Sequence, residues 1–188
     1  MTKSIMIVGV GGQGTLLASR ILGNTVINEG YDVKVSEVHG MSQRGGSVVT
    51  YVKFGEKVYS PIIDEGEADI ILAFEQLEAM RALPFLKKGG TMIVNSQKIN
   101  PMPVITGAAK YPENILEKIG DKVNLVSVDA LTLAKEAGNI KAVNVVLIGV
   151  MAKNTEIPYE NWVETIKTTV PEKFLDANLK AFDLGYNL

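Results

Sequence analysis

"SIMIVGVGGQG", residues 4–14, decides how the chain is read. Residues 4–9 run apolar and rich in β-branched side chains, as a central parallel strand covered on both faces requires. A glycine-dense turn follows at once. Residues 15–30, TLLASRILGNTVINEG, then read as a helix with Leu17, Ile21 and Leu22 on one face and Gly30 as its C-terminal cap. Gly9, Gly11 and Gly14 stand at G-x-G-x-x-G spacing between a strand and a helix, the context in which that spacing carries chemistry. Gly9 permits the tight turn, Gly11 lets backbone approach an anion, and Gly14 lets the helix pack close to the strand. Unpaired N–H groups and the helix dipole favour a phosphate or carboxylate there. Gly9, Gly11, Gly12, Gln13 and Gly14 are therefore candidate cradle residues, although the same glycines serve equally well as a sharp turn with no ligand.

Outward from this unit the pattern alternates. Residues 32–38 (DVKVSEV) read as a second strand, and residues 47–60 (SVVTYVKFGEKVYS) as a hairpin turning at Gly55-Glu56. ADIILAF (68–74) is another buried strand, and EQLEAMRALPFLKKGG (75–90) a helix ending at a glycine pair, which Pro84 bends or shortens. TMIVNS (91–96) is the next strand, followed by a loop holding Pro101 and Pro103, a short helix over 113–120 and a strand over 123–129. The remainder is helical, over 130–138, 141–154, 159–170 and 172–185. Trp162, Ile166 and Val170 fall at helical spacing, as do Leu175, Leu179 and Phe182. The expected fold is α/β: a Rossmann-like, mainly parallel sheet flanked by helices, with a β-hairpin insertion and a helical C-terminal portion. No repeat or linker divides it, so residues 1–188 are read as one domain.

Composition removes several chemistries. The 188 residues are 46% hydrophobic and 21% charged, ordinary for a soluble globular chain that can bury a core without staples. A formal net charge of -2 gives no pull toward nucleic acid or anionic membranes. With no cysteine, the chain forms no disulfide and offers no thiolate for catalysis or for an iron–sulfur cluster. One histidine rules out a multi-histidine metal site. No apolar run approaches the roughly 18 residues that span a bilayer. The apolar start from Ile5 to Val8 is too short for a signal peptide, so the protein is expected to be cytoplasmic.

The second candidate stretch is HGMSQRGGSV, residues 39–48. It follows the second strand and should lie at the carboxyl edge of the sheet beside the glycine turn, where open α/β sheets bind ligands. Gly40, Gly45 and Gly46 give the backbone freedom to fold tightly. His39, Ser42, Gln43 and Arg44 supply hydrogen-bonding groups, and Arg44 suits a bidentate grip on phosphate or carboxylate. Singly each has a plain reading: a lone histidine is more often a hydrogen-bonded structural group, and a surface arginine is usually only solvated. Their density in one loop favours function. Glu37, ending the second strand, is the candidate acid for a nucleotide ribose, but Val38 and His39 follow it without a ribose-binding loop.

EVHGMSQRGGSV together with GVGGQG resembles the gamma subunit or gamma domain of 2-oxoacid:ferredoxin oxidoreductases, and within that family most nearly the small (beta) subunit of the indolepyruvate enzymes. The resemblance extends through ADIILAFEQLEAMRALPFLKKGGTMIVN and KAVNVVLIGVMAK, so it covers most of the chain. It implies a part in oxidative decarboxylation of a 2-oxoacid, with the acyl group passed to coenzyme A and electrons to ferredoxin. It implies that thiamine diphosphate, Mg and [4Fe-4S] clusters sit on a large alpha subunit. This chain has no cysteine, and its acidic stretch DEGEAD (64–69) lacks the asparagine pattern of a thiamine diphosphate–magnesium motif. The chain would then cover the partner's thiamine site with the 39–48 loop and help to organise coenzyme A. Two other readings stay open: a free-standing NAD(P)-dependent oxidoreductase, and a nucleotide-binding scaffold.

Overall fold

The computed structural model describes residues 2–40 and 45–188. The chain runs β1 (Lys3–Val10), α1 (Thr15–Asn28), β2 (Asp32–His39), β3 (Ser47–Gly55), β4 (Ala68–Ala73), α2 (Gln76–Ala82), β5 (Leu86–Asn95), α3 (Met102–Ile105), α4 (Ile115–Gly120), β6 (Asn124–Val128), α5 (Ala130–Glu136), α6 (Val143–Lys153), α7 (Tyr159–Thr169) and α8 (Leu175–Tyr186). Six strands form one sheet in the order β2-β3-β1-β4-β5-β6. β1, β4, β5 and β6 pair in parallel, while β3 is antiparallel to both β1 and β2. The α/β fold expected from the sequence is observed, as a mixed sheet in which three of the five strand pairings are parallel.

β1 explains its own composition. Ile5 and Ile7 point to one face, where α1 and the C-terminal helices cover them with Leu22, Ile148, Trp162 and Phe182. Met6 and Val8 point to the other, against Ile71, Met92, Ile115 and Ile119 from β4, β5 and α4. A strand buried on both faces has no polar side to show. α1 is closed as expected at Gly30, whose N–H donates to the Ile27 carbonyl at 2.9 Å while Tyr31 N–H donates to Val26 at 3.1 Å. α6 is buried almost all round, from Asn144 through Ala152, and forms the spine of the helical layer. Trp162, Ile166, Val170 and Phe182 are buried as their spacing predicts, with Leu175 and Leu179 packed at the margin. Among the described residues no helix is long and apolar enough to cross a membrane.

Two elements differ from the sequence reading, and both differences bear on the site. First, residues 47–60 do not fold back at Gly55-Glu56. β3 is a single strand, and the hairpin is β2 with β3, in register from Asp32↔Gly55 to His39↔Val48. Alternation shows that 47–55 is a strand but not which neighbour it pairs with. The residues after it are held by other contacts: Val58 N–H donates to Asp32 Oδ2 at 2.9 Å, and Ile63 is buried against the sheet. The described residues that flank the pairing at this end are Gly40 after β2 and Gly45 and Gly46 before β3.

Second, the helix expected over 75–90 stops early. α2 ends at Ala82, a 3₁₀ turn spans Leu83–Phe85, and β5 begins at Leu86. Pro84 has no N–H for a further helical bond and its ring obstructs the preceding carbonyl. Gly89-Gly90 therefore lie within β5, where the pairing with β4 shifts register between Ala68 and Ile70, rather than capping a helix. The loop expected around Pro101 and Pro103 contains one helical turn, α3.

Candidate functional site

The carboxyl edge of the sheet gathers the glycine turn, the hairpin tip, and the segments after β4 and β5. Gly14 is the N-cap of α1 and takes a left-handed conformation, φ 85°. A Cβ there would also stand 2.7 Å from Asn144 Nδ2, so both backbone and packing require glycine. Asn144, at the start of α6, donates to the Gly14 carbonyl at 3.2 Å. This is the close helix approach that the third glycine of the fingerprint serves. Gly9 is crowded too: a side chain would meet Phe74 Cβ at 3.0 Å.

The turn is tied to the hairpin tip. Gly11 N–H donates to the Gly46 carbonyl at 2.8 Å, and Gly45 N–H returns to the Gly11 carbonyl at 3.4 Å. The second fingerprint glycine, the one expected to offer its N–H to an anion, has it engaged by protein. Gln13 is likewise engaged. Its Oε1 accepts from Val10 N–H at 2.7 Å, and its Nε2 donates to the Phe74 carbonyl at 3.0 Å and to Gln97 Oε1 at 3.3 Å. Gln13 fastens the turn to β4 and to the segment after β5.

Beside the turn lies an open cleft of about 400 Å³ lined by Gly11, Gly12, Gly14, Thr15, Leu16, Glu37, His39 and Val48. α1 has no side-chain cap and no acidic residue in its first turn, so its dipole is left unneutralised at this end. On the far wall stands Glu37, whose Oε2 lies 3.5 Å from Thr50 Oγ1. His39 is exposed, and its Nδ1–H donates to the Gly40 carbonyl at 3.1 Å. β3 stands between β1 and β2, which sets Glu37 two strand spacings, about 10 Å, from β1 instead of one. Gly9, Gly11, Gly12, Gln13, Gly14, His39, Gly40, Gly45 and Gly46 are thus brought to one edge. Ser42, Gln43 and Arg44 lie outside the described residues.

Sequence reasoning passed over the acids that hold this edge. Glu75 and Glu78 are both buried. Glu75 caps α2 through its Oε2, which accepts from Glu78 N–H at 3.0 Å; its Oε1 accepts from Ile99 N–H at 3.0 Å and from the Tyr111 hydroxyl. Burial, and then the hydrogen bond to the Glu75 carboxylate, push the Tyr111 phenol above its ordinary range. Glu78 accepts from Ser47 Oγ at 2.6 Å and from Arg81 Nη1 at 2.6 Å. The available signal was an acid placed directly after a buried strand, with a second acid three residues on.

Among the described residues no group of three or more His, Asp or Glu is arranged to hold a metal ion. Asp64, Glu67 and Asp69 lie before and at the start of β4, at the opposite edge from the glycine turn. Glu67 pairs with Lys53 at 3.1 Å; Asp69 accepts from Ser4 N–H at 2.9 Å and Lys87 Nζ at 3.1 Å. These acids support the fold and do not fit a thiamine diphosphate–magnesium site.

Residues 4–188 match the family model described as "Pyruvate ferredoxin/flavodoxin oxidoreductase". The chain is 47% identical to "Indolepyruvate oxidoreductase subunit IorB" of Pyrococcus horikoshii, over 97% of this chain and 93% of that protein. It is 42% identical to the protein of the same description in Archaeoglobus fulgidus, over 100% and 95% of the two. Among solved structures, the "keto/oxoacid ferredoxin oxidoreductase, gamma subunit" of Geobacter sulfurreducens superposes with a TM-score of 0.73 at 25% identity, covering 98% of this chain and 96% of that one. The Magnetococcus marinus 2-oxoglutarate:ferredoxin oxidoreductase, whose structure holds 2-oxoglutarate, coenzyme A and succinyl-CoA, shares the fold with a TM-score of 0.75 at 19% identity; the match spans 99% of this chain and 30% of that one. The chain belongs to the pyruvate ferredoxin/flavodoxin oxidoreductase family.

Proposed function

We propose that the chain, as one gamma-type domain over residues 1–188, is the small subunit of a cytoplasmic 2-oxoacid:ferredoxin oxidoreductase acting on an aryl pyruvate such as indolepyruvate. The observation that carries this reading is the 47% identity along nearly the whole chain to a protein described as an indolepyruvate oxidoreductase subunit. The donor chemistry supports an accessory role. With no cysteine in the sequence and no metal-holding group of His, Asp or Glu among the described residues, the chain relies on a large alpha subunit for thiamine diphosphate, Mg and [4Fe-4S] clusters, and for delivery of electrons to ferredoxin. Coenzyme A is the co-substrate that takes the acyl group in the assembled enzyme.

In this reading the chain's own work is done at the carboxyl edge. Gly45 and Gly46, hydrogen-bonded to Gly11 of the glycine turn, set this end of β3 toward the partner's thiamine site. Arg44 is the residue proposed to hold a carboxylate or phosphate, and His39, Ser42 and Gln43 are the further hydrogen-bonding groups proposed for that role. The first turn of α1, beside Gly12 and Gly14, favours negative charge in the same region.

Two observations speak against a free-standing NAD(P)-dependent enzyme. The Gly11 N–H that would meet a pyrophosphate is bonded to Gly46, and the inserted β3 moves Glu37 a full strand away from the ribose position. The experiment is reconstitution. Mixing the purified chain with its large subunit should give coenzyme A-dependent reduction of ferredoxin by indolepyruvate, with either chain alone inactive. In the same assay Arg44→Ala should lower kcat/KM about tenfold or more, the scale of a lost charged hydrogen bond. Turnover of any 2-oxoacid or nicotinamide cofactor by the isolated 188-residue chain would overturn the reading.

A further inference from the structure

We propose that residues 99–109, with α3 at their centre, form a docking knob for the large subunit, seated in an apolar pocket with an acidic rim on that partner. The inference rests on the reading that the carboxyl edge faces a large subunit, and it names a contact that joins the two chains. The segment follows β5 and leaves the sheet at this edge. Ile99 N–H and the Tyr111 hydroxyl both donate to Glu75 Oε1, so one buried carboxylate closes the base of the segment. Just before that base, Gln97 Oε1 accepts from Gln13 Nε2 of the glycine turn at 3.3 Å, which sets the knob beside the candidate site.

What stands out from this base is apolar. Met102 is 64% exposed and Ile105 65%. Residues 99–109 carry no charged side chain, in a chain that is 21% charged. Exposed apolar surface without charge matches the centre of a protein interface, where charged residues are depleted and methionine is enriched. The shape is set before a partner arrives. Ile105 N–H donates to the Pro101 carbonyl at 3.1 Å, Thr106 N–H and hydroxyl to the Met102 carbonyl at 2.9 and 3.0 Å, and Ala109 N–H to the Pro103 carbonyl at 2.9 Å. Pro101 and Pro103 fix two backbone angles more. A knob ordered in the free chain loses little conformational entropy on docking.

Charge says what kind of pocket takes it. Lys98 and Lys110 stand exposed on either side of the uncharged stretch, and neither pairs with a carboxylate among the described residues. Cations flanking an apolar tip are complementary to an apolar pocket rimmed by carboxylates. The same pattern would suit an anionic membrane. The formal net charge of -2 and the place of the knob beside the candidate site favour the subunit.

The test uses the full chain and its large subunit. Brief hydrogen peroxide treatment should oxidise Met102 in the free chain and about fivefold or more slowly in the complex, read by peptide mass spectrometry. Met102→Gln/Ile105→Gln should raise Kd for the large subunit about tenfold or more. Ile27→Gln, at a side chain 53% exposed near the other end of α1, should leave Kd within about twofold of the parent. Lys98→Glu/Lys110→Glu should slow association about tenfold and flatten its dependence on salt. A complex in which Met102 is oxidised as fast as in the free chain, or a Met102→Gln/Ile105→Gln chain that binds as tightly as the parent, overturns the knob and leaves the subunit reading standing. Failure of the two parent chains to combine at all overturns both. Met102 protected in the free chain at high concentration would assign the segment to a second copy, and binding of the free chain to mixed phosphatidylserine–phosphatidylcholine vesicles would assign it to a membrane; either result overturns the proposal.

Discussion

Gly11 and Gly46, 35 residues apart in the chain, are joined by a backbone hydrogen bond of 2.8 Å from the Gly11 N–H to the Gly46 carbonyl. That bond turns two separate sequence motifs into one structural unit. It also changes what the glycine turn can do, since an N–H that donates to protein is withdrawn from an incoming phosphate. The Gly11 amide should therefore exchange slowly for a turn residue, with protection well above that of Gly12. Hydrogen exchange read at single-residue resolution checks this. Fluorescence titration of the isolated chain with NADH should show no binding in the micromolar range.

The crossing of α6 on α8 depends on two absent side chains. A Cβ at Gly149 would meet the Phe182 carbonyl and stand 2.8 Å from Tyr186 N; one at Gly185 would meet the Val146 carbonyl, with the Val146 carbonyl carbon 2.9 Å away. Backbone cannot yield as a flexible side chain does. Gly149→Ala and Gly185→Ala should each destabilise by about 1–3 kcal/mol or more, the usual cost of overpacking. Gly23, inside α1, has its nearest neighbour at 4.0 Å, the Val35 Cγ2. Gly23→Ala should instead stabilise by about 0.5–1 kcal/mol through helix propensity. Urea denaturation of the three variants separates the two outcomes.

The sequence carried the site's location better than its wiring. Two-faced burial of β1 is legible because no polar residue interrupts residues 5–8, and the glycine spacing marks the strand-to-helix turn. Pairing is less legible. β3 has the same alternation whether it turns at Gly55-Glu56 or belongs with β2, because period two says nothing about partners. Gly89-Gly90 mislead for a related reason: glycine ends helices and also accommodates strand irregularities, and only the effect of Pro84 upstream decides between them. Glu75 and Glu78 stand at the start of the helix read over 75–90, a place that marks a cap but not burial. Their burial follows from where Ser47, Ile99 and Tyr111 arrive, which no local pattern encodes.

Asp129 caps α5, its Oδ1 accepting from Thr132 N–H at 3.1 Å and its Oδ2 from Thr132 Oγ1 at 2.7 Å. These bonds, the Thr132 hydroxyl first, hold its carboxyl below the usual carboxylate range. A carboxylate whose folded pKa is depressed contributes stability above its unfolded value and loses it as pH falls through the folded one. Asp129→Ala should thus cost about 1 kcal/mol at neutral pH, as for other lost caps. The gap from the parent should narrow below about pH 4. Asp129→Asn keeps an acceptor for Thr132 and should stay near the parent throughout. Denaturant midpoints at pH 7 and pH 3 supply the comparison.

Tyr111 lends its hydroxyl to the buried Glu75 carboxylate, and its phenol is pushed upward by burial and by that bond. A raised folded pKa means stability that is complete below the unfolded value, about 10 for tyrosine, and lost as pH rises through the folded value. Tyr111→Phe should remove that dependence. It should also cost about 1.5–3 kcal/mol at pH 7, since a buried carboxylate loses a donor. Ultraviolet titration should show one tyrosine fewer ionising at high alkalinity in the variant. Equal stability of Tyr111→Phe and parent would mean that the Glu75 carboxylate does not need this partner.

Asn95 joins three segments at the carboxyl edge: its Nδ2 donates to the Phe74 carbonyl at 3.1 Å and to Gln97 Oε1 at 3.4 Å, and its Oδ1 accepts from Ala130 N–H at 3.3 Å. The residue is 1% exposed, so water cannot replace a lost partner. Asn95→Leu keeps the volume but orphans the Ala130 N–H, and should cost about 1–3 kcal/mol. Phe74 is less affected, because its carbonyl still accepts from Gln13. Asn95→Asp tells more. It keeps the acceptor for Ala130 but turns a carboxylate toward two acceptor oxygens, which raises its folded pKa above the unfolded value. Its deficit should therefore be largest at neutral pH and shrink as pH falls toward the carboxylate range, where protonation restores a donor. A deficit that is the same at pH 7 and at pH 4.5 would mean that Asn95 does not donate to the Phe74 carbonyl, and that the glycine turn is held on this side by Gln13 alone.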